Sequence, residues 1–374
     1  MARHQGPSRA PVWQDSLTTI TGVDPEARRR TMTQAILFML VALTLVSSVV
    51  TTGVEPAMAA DPIKLVYHES IVRGTHTLVD EWFMDEVEKR LPGKIKFERL
   101  FGGPLGKTED QPANLKAKMF DLAWVTSVYN PGLYPALAMT TLPFLTPNLK
   151  AANLAAMDLN EHPVVQKEQL ALNQKILYHT FSEPMEMLSH KRARNLEDLK
   201  GMKIRAHGGA AAALKTAGFT AVGIAMPELA QAAERRVIDG LIIPVPSTAR
   251  DFGYQRLMKY WVRVNFYRMQ YGMAINRDVW NKLPADVKQV MQELARPAAA
   301  KGAELWEGEM VKAAGVLKAG GMEEVVWDQD ELEKFKRVGG VPVWEKWVAD
   351  ATAKGLPARE LLEMFQASMA KYSK

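Results

Sequence analysis

Past residue 60 the apolar positions switch repeatedly between a period near two and a period near 3.6. IKLVY at 63–67 reads as a strand. Leu78, Trp82, Phe83, Val87 and Leu91 mark one face of a helix over 78–90, which Pro92 and Gly93 stop. KIKFERL at 94–100, with Ile95, Phe97 and Leu100 apolar, is a second strand. Strand, helix, strand in that order points to a parallel α/β unit. The alternation continues with a helix over 109–119, the strand FDLAWV at 120–125, helices over 149–158 and 161–173, and strands at 175–180 and 202–205. A helix over 209–217 precedes a strand at 221–224. Pro227 then opens a helix over 228–236, as proline favours the first turn, and an apolar run follows at 238–245. Residues 260–275 hold two strand-like stretches. Helices are predicted over 284–295 and 298–316, a strand at 323–327, and helices around 329–336, 341–353 and 357–371. These elements gather into two clusters, split near 180 and again near 270. The fold class predicted is α/β with two lobes that the chain crosses more than once, leaving a cleft that hinge closure can shut over a ligand.

The chain ahead of this pattern has a different character. Arg28, Arg29 and Arg30 precede the apolar run AILFMLVALTLVSSVV at 35–50, and Ala57-Met58-Ala59 follows. Positive charge, apolar stretch and small-residue site in that order describe an export signal. The run of 16 residues is shorter than the roughly 20 that a membrane-spanning helix needs. The expectation is an N-terminal extension and signal over 1–59, removed on export to the periplasm, with no stable membrane insertion afterwards; an uncleaved anchor is the alternative. Of 374 residues, 315 then remain, enough for one large or two ordinary domains.

Charge and composition narrow the function by exclusion. The formal net charge is +5, and basic residues are interleaved with acidic ones rather than blocked, so nucleic-acid binding has no support. A mild positive excess suits an anionic small ligand. Cysteine is absent, which removes disulfides, a thiolate nucleophile and cysteine metal sites. Gly102-Gly103-Pro104-Leu105-Gly106 is not a dinucleotide fingerprint, there is no phosphate-binding loop, and no serine sits in a nucleophile elbow. The seven histidines have no metal-ligand spacing.

Several segments resemble the solute-binding proteins of tripartite ATP-independent periplasmic (TRAP) transporters, the DctP-like family. They are the loop and helix from Phe101 to Met119 with Asp121-Leu122-Ala123, Leu142-Pro143-Phe144-Leu145, LEDLKGMKIR at 196–205, Met226 to Leu229 through Val237-Ile238-Asp239-Gly240, and Gly272 to Asn276 with Trp280 and Leu283-Pro284. Lys118-Met119-Phe120 stands where the family usually has a glycine before the aspartate. The resemblance covers nearly all of 62–370. It implies a two-lobed periplasmic-binding-protein fold with a ligand cleft, strands shared between lobes, and a long helix spanning both. On that basis lobe I is expected from 60–182 and 271–310, and lobe II from 183–270 and 311–374. The implied partners are a small organic anion and the small and large membrane subunits of a TRAP permease. The protein itself is expected to be no enzyme and to need no cofactor, although calcium accompanying a bound carboxylate stays open.

The same resemblance assigns Arg205, at the end of the strand after LEDLKG, to the solute's carboxylate. A guanidinium fork matches two carboxylate oxygens and keeps its charge. A second arginine is expected near Met185, and none is present, which weakens a dicarboxylate or sialic-acid-like ligand. Trp124 ends a strand, where it can stack on a solute. Glu69 and His68 end the first strand. Phe101, Phe144, Phe266, Asn265 and Glu183 are further candidates, and Ile243 makes one wall apolar. One fixed cation, aromatics and an apolar wall predict a monocarboxylate with a modest hydrophobic part: a 2-oxo, hydroxy or aromatic acid. A ligand-presenting sensory protein with the same fold is the alternative, and an exported enzyme the next.

Overall fold

The computed structural model describes residues 61–374, apart from Ala225 and the side chains of Met226 and Pro227; ahead of residue 61 only Glu26 and Gln34 are described. The expected export signal and its cleavage point at residue 59 lie outside the described residues. Among those residues, no helix is long and apolar enough to cross a membrane.

Ten strands among the described residues carry the fold: β1 (Ile63–His68), β2 (Ile95–Leu100), β3 (Leu122–Val125), β4 (Gln174–Ser189), β5 (Lys203–Arg205), β6 (Thr220–Val222), β7 (Gly240–Pro244), β8 (Tyr260–Arg263), β9 (Arg268–Asn276) and β10 (Glu323–Val326). Their order is β2-β1-β3-β9-β4-β7-β5-β6, with β8 pairing β4 and β10 off this path. Parallel pairs β1–β2 and β1–β3 build one end and β5–β6 and β5–β7 the other. Antiparallel β9 and β4 join them. The α/β units read from periodicity are therefore present in two sets. β2 shows why the pattern was legible: Ile95 and Phe97 are buried while Lys96 and Glu98 are exposed, the one-sided alternation of a sheet-edge strand.

β4 departs from the sequence reading. The strand expected over 175–180 continues to Ser189 and crosses from one sheet to the other. Its first part pairs β9, with irregular register around Ile176–Tyr178 and Phe181–Pro184; its last part pairs β7 on one side and β8 on the other. Pro184 is tolerated at such an irregularity, where no ladder bond is required of its nitrogen. Buried Ser182, Glu183 and Glu186 hid the strand from a hydrophobicity pattern.

The second departure is the helix Ala285–Ala319, expected as two helices separated near Pro297 and observed as one of 35 residues. Pro297 removes one backbone bond. Tertiary packing holds the helix together across it. Met291, Leu294, Ala299, Ala303 and Trp306 pack in the core of the first lobe, and Leu317 in a core of the second. Asn153 Nδ2 donates to the Ala299 carbonyl at 2.7 Å just beyond the proline. Gly302 lets the helix approach β4, since an added Cβ would lie 2.7 Å from Thr180 Oγ1. This is the long helix expected to span both lobes.

The cores also redraw the expected boundary for 311–374. Val325, Trp327 and Phe335 pack with Met187, Ile204, Leu214 and Phe266 of lobe II. Trp344, Val348, Leu361, Leu362, Phe365 and Met369 instead join Phe83, Leu159 and Tyr178 in lobe I. The reason is amphipathicity: the helix Ala358–Tyr372 lays one apolar face on the helix Leu149–Asn160. Lobe I thus takes back the C-terminus. Truncating the fully buried Phe365 to Ala is expected to destabilise the protein by about 3–5 kcal/mol, measured by urea unfolding. Glu363→Ala on the solvent side should change stability by less than about 0.5 kcal/mol.

Candidate functional site

The carboxyl ends of the parallel strands converge between the lobes, the place where open α/β sheets bind ligands. Glu69 follows β1, Thr126 to Tyr129 follow β3, and Arg205 ends β5. Tyr129 links the two sides, because both Arg205 and Glu69 act electrostatically on its phenol.

Arg205 is set by local sequence. The turn Glu197–Leu199 ends in Gly201, whose φ of +73° is a backbone state glycine adopts freely, and the chain then enters β5. Ile204 goes into the core and Arg205 lies 6% exposed. Its Nε donates to the Ile224 carbonyl and its Nη1 to the Ile242 carbonyl, both at 3.1 Å. Burial lowers its pKa, and the titratable groups in its field are Tyr254, Tyr267 and Tyr129. No carboxylate among the described residues pairs with it. A desolvated, rigidly held guanidinium without a counterion is a site for an anion.

Glu69 faces the site from lobe I. The glycine loop holds its backbone: Gly103 N donates to the Glu69 carbonyl at 3.1 Å, and a Cβ on Gly103 would lie 2.9 Å from the Ser70 carbonyl. Oε1 accepts from Ile71 N at 3.0 Å and from Ser70 Oγ at 3.4 Å, while buried Oε2 has no hydrogen-bond partner among the described residues. Burial pushes its pKa up to about 8, with the charge of Asp80 adding to the rise against the Ile71 hydrogen bond. The carboxyl is therefore neutral at pH 7.

Trp124 lies on β3 one residue past Ala123, which the parallel register sets against His68, and Glu69 follows His68 at the end of β1. Its ring lies 4.7 Å from that of Tyr271, which in turn stacks on Trp306 at 6.4 Å. His76 meets Trp124 edge-on at 6.4 Å. The indole Nε1 atoms of Trp124 and Trp306 and Nε2 of His76 are buried without partners among the described residues. Burial holds the His76 pKa down to about 4, against the fields of Asp251 and Glu81, so its ring is neutral.

The other expected positions have structural duties. His68 is saturated: Nδ1 bonds Gln111 Oε1 at 3.0 Å, Nε2 accepts from Leu105 N at 3.1 Å, and the ring stacks on Phe120 at 4.7 Å. Phe144 and Phe266 are both packed against Phe335 in the lobe II core, and Ile243 lies in the neighbouring core. Phe101 meets Tyr67 edge-on, with the Arg73 guanidinium 5.7 Å from its centre. Both Glu183 oxygens are engaged by Ser247 N, Thr248 N and Thr248 Oγ1 at 2.5–2.8 Å. Glu186, three residues further along β4, is bonded by Trp261 and Arg263. Asn265 adopts φ +51° and donates from Nδ2 to the Pro147 carbonyl at 3.3 Å, with Oδ1 buried and unpartnered among the described residues.

Sequence reasoning missed Arg268, His76, Tyr271 and Trp306. Arg268 is 6% exposed and donates to the carbonyls of Thr146 and Ser182 at 3.2 and 3.0 Å. Burial lowers its pKa to about 10, against the fields of Glu186, Glu307 and Glu183, none of which contacts it as an ion pair. It stands opposite Pro184, so the neighbouring strand brings a buried cation next to Met185, where the search within β4 found none. An arginine inside an otherwise strand-like apolar stretch was the available signal; His76 offered none.

Comparison with known proteins places these features in context. A family model described as bacterial extracellular solute-binding protein, family 7 (DctP), matches residues 74–350. A solute-binding protein of Albidiferax ferrireducens is 24% identical over 301 residues, covering 77% of this chain and 84% of that protein. The crystal structure of a TRAP periplasmic solute-binding protein from Desulfovibrio salexigens, an open complex with the C-terminus of a symmetry mate in its ligand-binding site, is similar at a TM-score of 0.77 and 26% identity, over 84% of this chain and 97% of its own. A marine-metagenome TRAP solute-binding protein specific for aromatic acids, in complex with 3-hydroxybenzoate, shares the fold at a TM-score of 0.73 and 23% identity, over 84% of this chain and 99% of its own.

The protonation of Glu69 has a consequence for stability. An unfolded glutamate ionises near 4.5, and the folded one near 8. Between those values the folded protein keeps a proton that the unfolded chain has released, so this group's contribution to stability is lost as pH rises through the window. Glu69→Gln removes that loss. The melting-temperature difference between Glu69→Gln and wild type should therefore shift in the variant's favour from pH 5 to pH 8 and level off above. A difference independent of pH would mean that the folded carboxyl is ionised throughout.

Proposed function

The chain belongs to the bacterial extracellular solute-binding proteins of family 7, and we propose that its solute is a small organic monocarboxylate, captured in the periplasm and handed unchanged to the membrane subunits of a TRAP permease. The observation that carries this reading is Arg205: a buried guanidinium fixed by two carbonyls at 3.1 Å, with no carboxylate partner among the described residues. A carboxylate docked on its remaining donors gains a charge-assisted bond that strengthens as closure excludes water.

The lobe I wall favours a monocarboxylate over a dicarboxylate. Opposite Arg205 stand a neutral carboxyl and three aromatic rings rather than a second free cation. Arg268 is partly neutralised by the fields of Glu186, Glu307 and Glu183. The aromatic-acid specificity of the marine-metagenome protein supports the same class. The protein supplies binding and release, and a calcium ion alongside the carboxylate is tested rather than assumed.

The decisive measurement is melting temperature against a panel of small carboxylates, with chelator and with calcium. A ligand bound to the native state alone raises it. Arg205→Ala should raise the dissociation constant for an acid that binds wild type at least about tenfold, in line with loss of a charge-assisted pair. Unchanged affinity would remove Arg205 from the site. Intrinsic fluorescence should respond to the same acid, and Trp124→Phe should abolish most of the change.

A further inference from the structure

The guanidinium of Arg205 is too far committed to serve a carboxylate alone. Its single Nε–H is spent on the Ile224 carbonyl and one Nη1 proton on the Ile242 carbonyl, so the side-on fork is closed. Nη2 and the second Nη1 proton remain. A buried carboxylate offers about four acceptor sites and needs its hydrogen bonds filled. We propose that the Tyr267 hydroxyl and the N-terminus of the helix Gly208–Thr216 supply the missing donors, so that the solute's carboxylate lies between Arg205, Tyr267 and the N–H groups of Gly208 and Gly209. This inference rests on the carboxylate reading of Arg205 and deepens it, because the second half of the anion site is then neutral.

His207, the N-cap of that helix, brings Nε2 to 3.2 Å from the Ile224 carbonyl that Arg205 Nε holds at 3.1 Å, so the helix begins beside the guanidinium. Gly208 comes next, exposed and at φ +53°, and a Cβ built on it would lie 3.1 Å from the Tyr267 hydroxyl oxygen. Glycine is required there twice over, by the left-handed backbone and by the hydroxyl against it. Tyr267 is 3% exposed. Its hydroxyl has no hydrogen-bond partner among the described residues, yet the oxygen is not sealed from solvent. The same is true of Nη2 on buried Arg205. No side chain caps the helix, and the N–H groups of Gly208 and Gly209 have no acceptor among the described residues. Burial raises the Tyr267 pKa to about 12, with Tyr129 adding to the rise and the charge of Arg205 opposing it, so the phenol keeps its proton to donate.

The donor set selects the ligand. A guanidinium and two backbone N–H groups only donate, and a phenol beside them can do so as well. An open helix N-terminus and a fixed cation both favour negative charge. One full positive charge balances one carboxylate, whereas a doubly charged phosphate would leave charge uncompensated in a buried site. Met185 N donates to the Tyr267 carbonyl at 2.8 Å, so a neutral donor stands at the station where no second arginine is found.

Calorimetry with benzoate, mandelate and pyruvate gives dissociation constants for wild type, Tyr267→Phe and Arg205→Ala. For the acid that wild type binds most tightly, Tyr267→Phe should raise the constant about tenfold or more, the scale of a hydrogen bond to a charged group. The hydroxyl bonds nothing in the free protein, so the same variant should melt no lower than wild type without ligand; a merely structural role would lower the melting temperature. In isotopically labelled wild type, the amide proton resonances of Gly208 and Gly209 should move downfield on saturation with that acid, as they acquire a charged acceptor. Affinity unchanged in Tyr267→Phe, or Gly208 and Gly209 resonances that stay in place, overturns the inference. Loss of binding in Arg205→Ala then leaves the carboxylate reading standing. Affinity unchanged in Arg205→Ala, or no binding of any of the three acids by wild type, counts against both.

Discussion

One strand belongs to both lobes. Of the sixteen residues of β4, all but Lys175 are buried, and its neighbours change from β9 to β7 and β8 along its length. The constraint this imposes is severe. Met187 and Leu188, successive residues of one strand, face different hydrophobic cores. A strand buried on both faces fixes its register, because a slip by one residue would exchange the two cores. The lobes are thereby tied to each other through a covalent, hydrogen-bonded element, and the helix Ala285–Ala319 ties them a second time.

Polar groups buried along these crossings divide into two kinds. Glu183 and Glu186 sit on β4 with their oxygens bonded by Ser247, Thr248, Trp261 and Arg263. They hold the second lobe's segments onto the crossing strand. Buried carboxylates of this type are destabilising if any partner is removed, so they read as architecture. Glu69 and Trp124 are buried as deeply yet each keeps a polar atom without a partner among the described residues, and buried Arg205 has no carboxylate partner among them. Groups that remain unsatisfied cost stability, and Arg205, Glu69 and Trp124 lie at or next to strand ends, unlike the bonded carboxylates within β4.

Much of the fold was visible in the one-dimensional pattern because it follows local rules. The helix Leu78–Arg90 has the bounds its apolar face and Pro92-Gly93 predict. β1, β2, β5 and β10 fall within a residue or two of the expected strands. The failures have specific causes. Pro184 and Pro297 read as interruptions, and in both places packing on two sides outweighed the local penalty. The C-terminal helices were assigned to the wrong lobe because amphipathicity says that a face is buried, not against what.

Among the site residues the division is similar. The place of Arg205 was legible because LEDLKG sets a turn and a strand that ends at that arginine, and those of Glu69 and Trp124 because both were expected at or near strand ends. The sequence by itself determined the alternation of strands and helices, the absence of thiol and metal motifs, and the one arginine at a predictable strand end. Tertiary structure alone decided which of the candidates remain free. Phe144, Phe266 and Ile243 have the same composition-level credentials as Trp124, and only the packing of Phe335 and the β4 crossing turns them into core. It alone set the protonation of Glu69, since burial is a property of everything folded around a residue. It alone placed Arg268 opposite Pro184, because register across antiparallel strands joins positions that lie 84 residues apart in the chain.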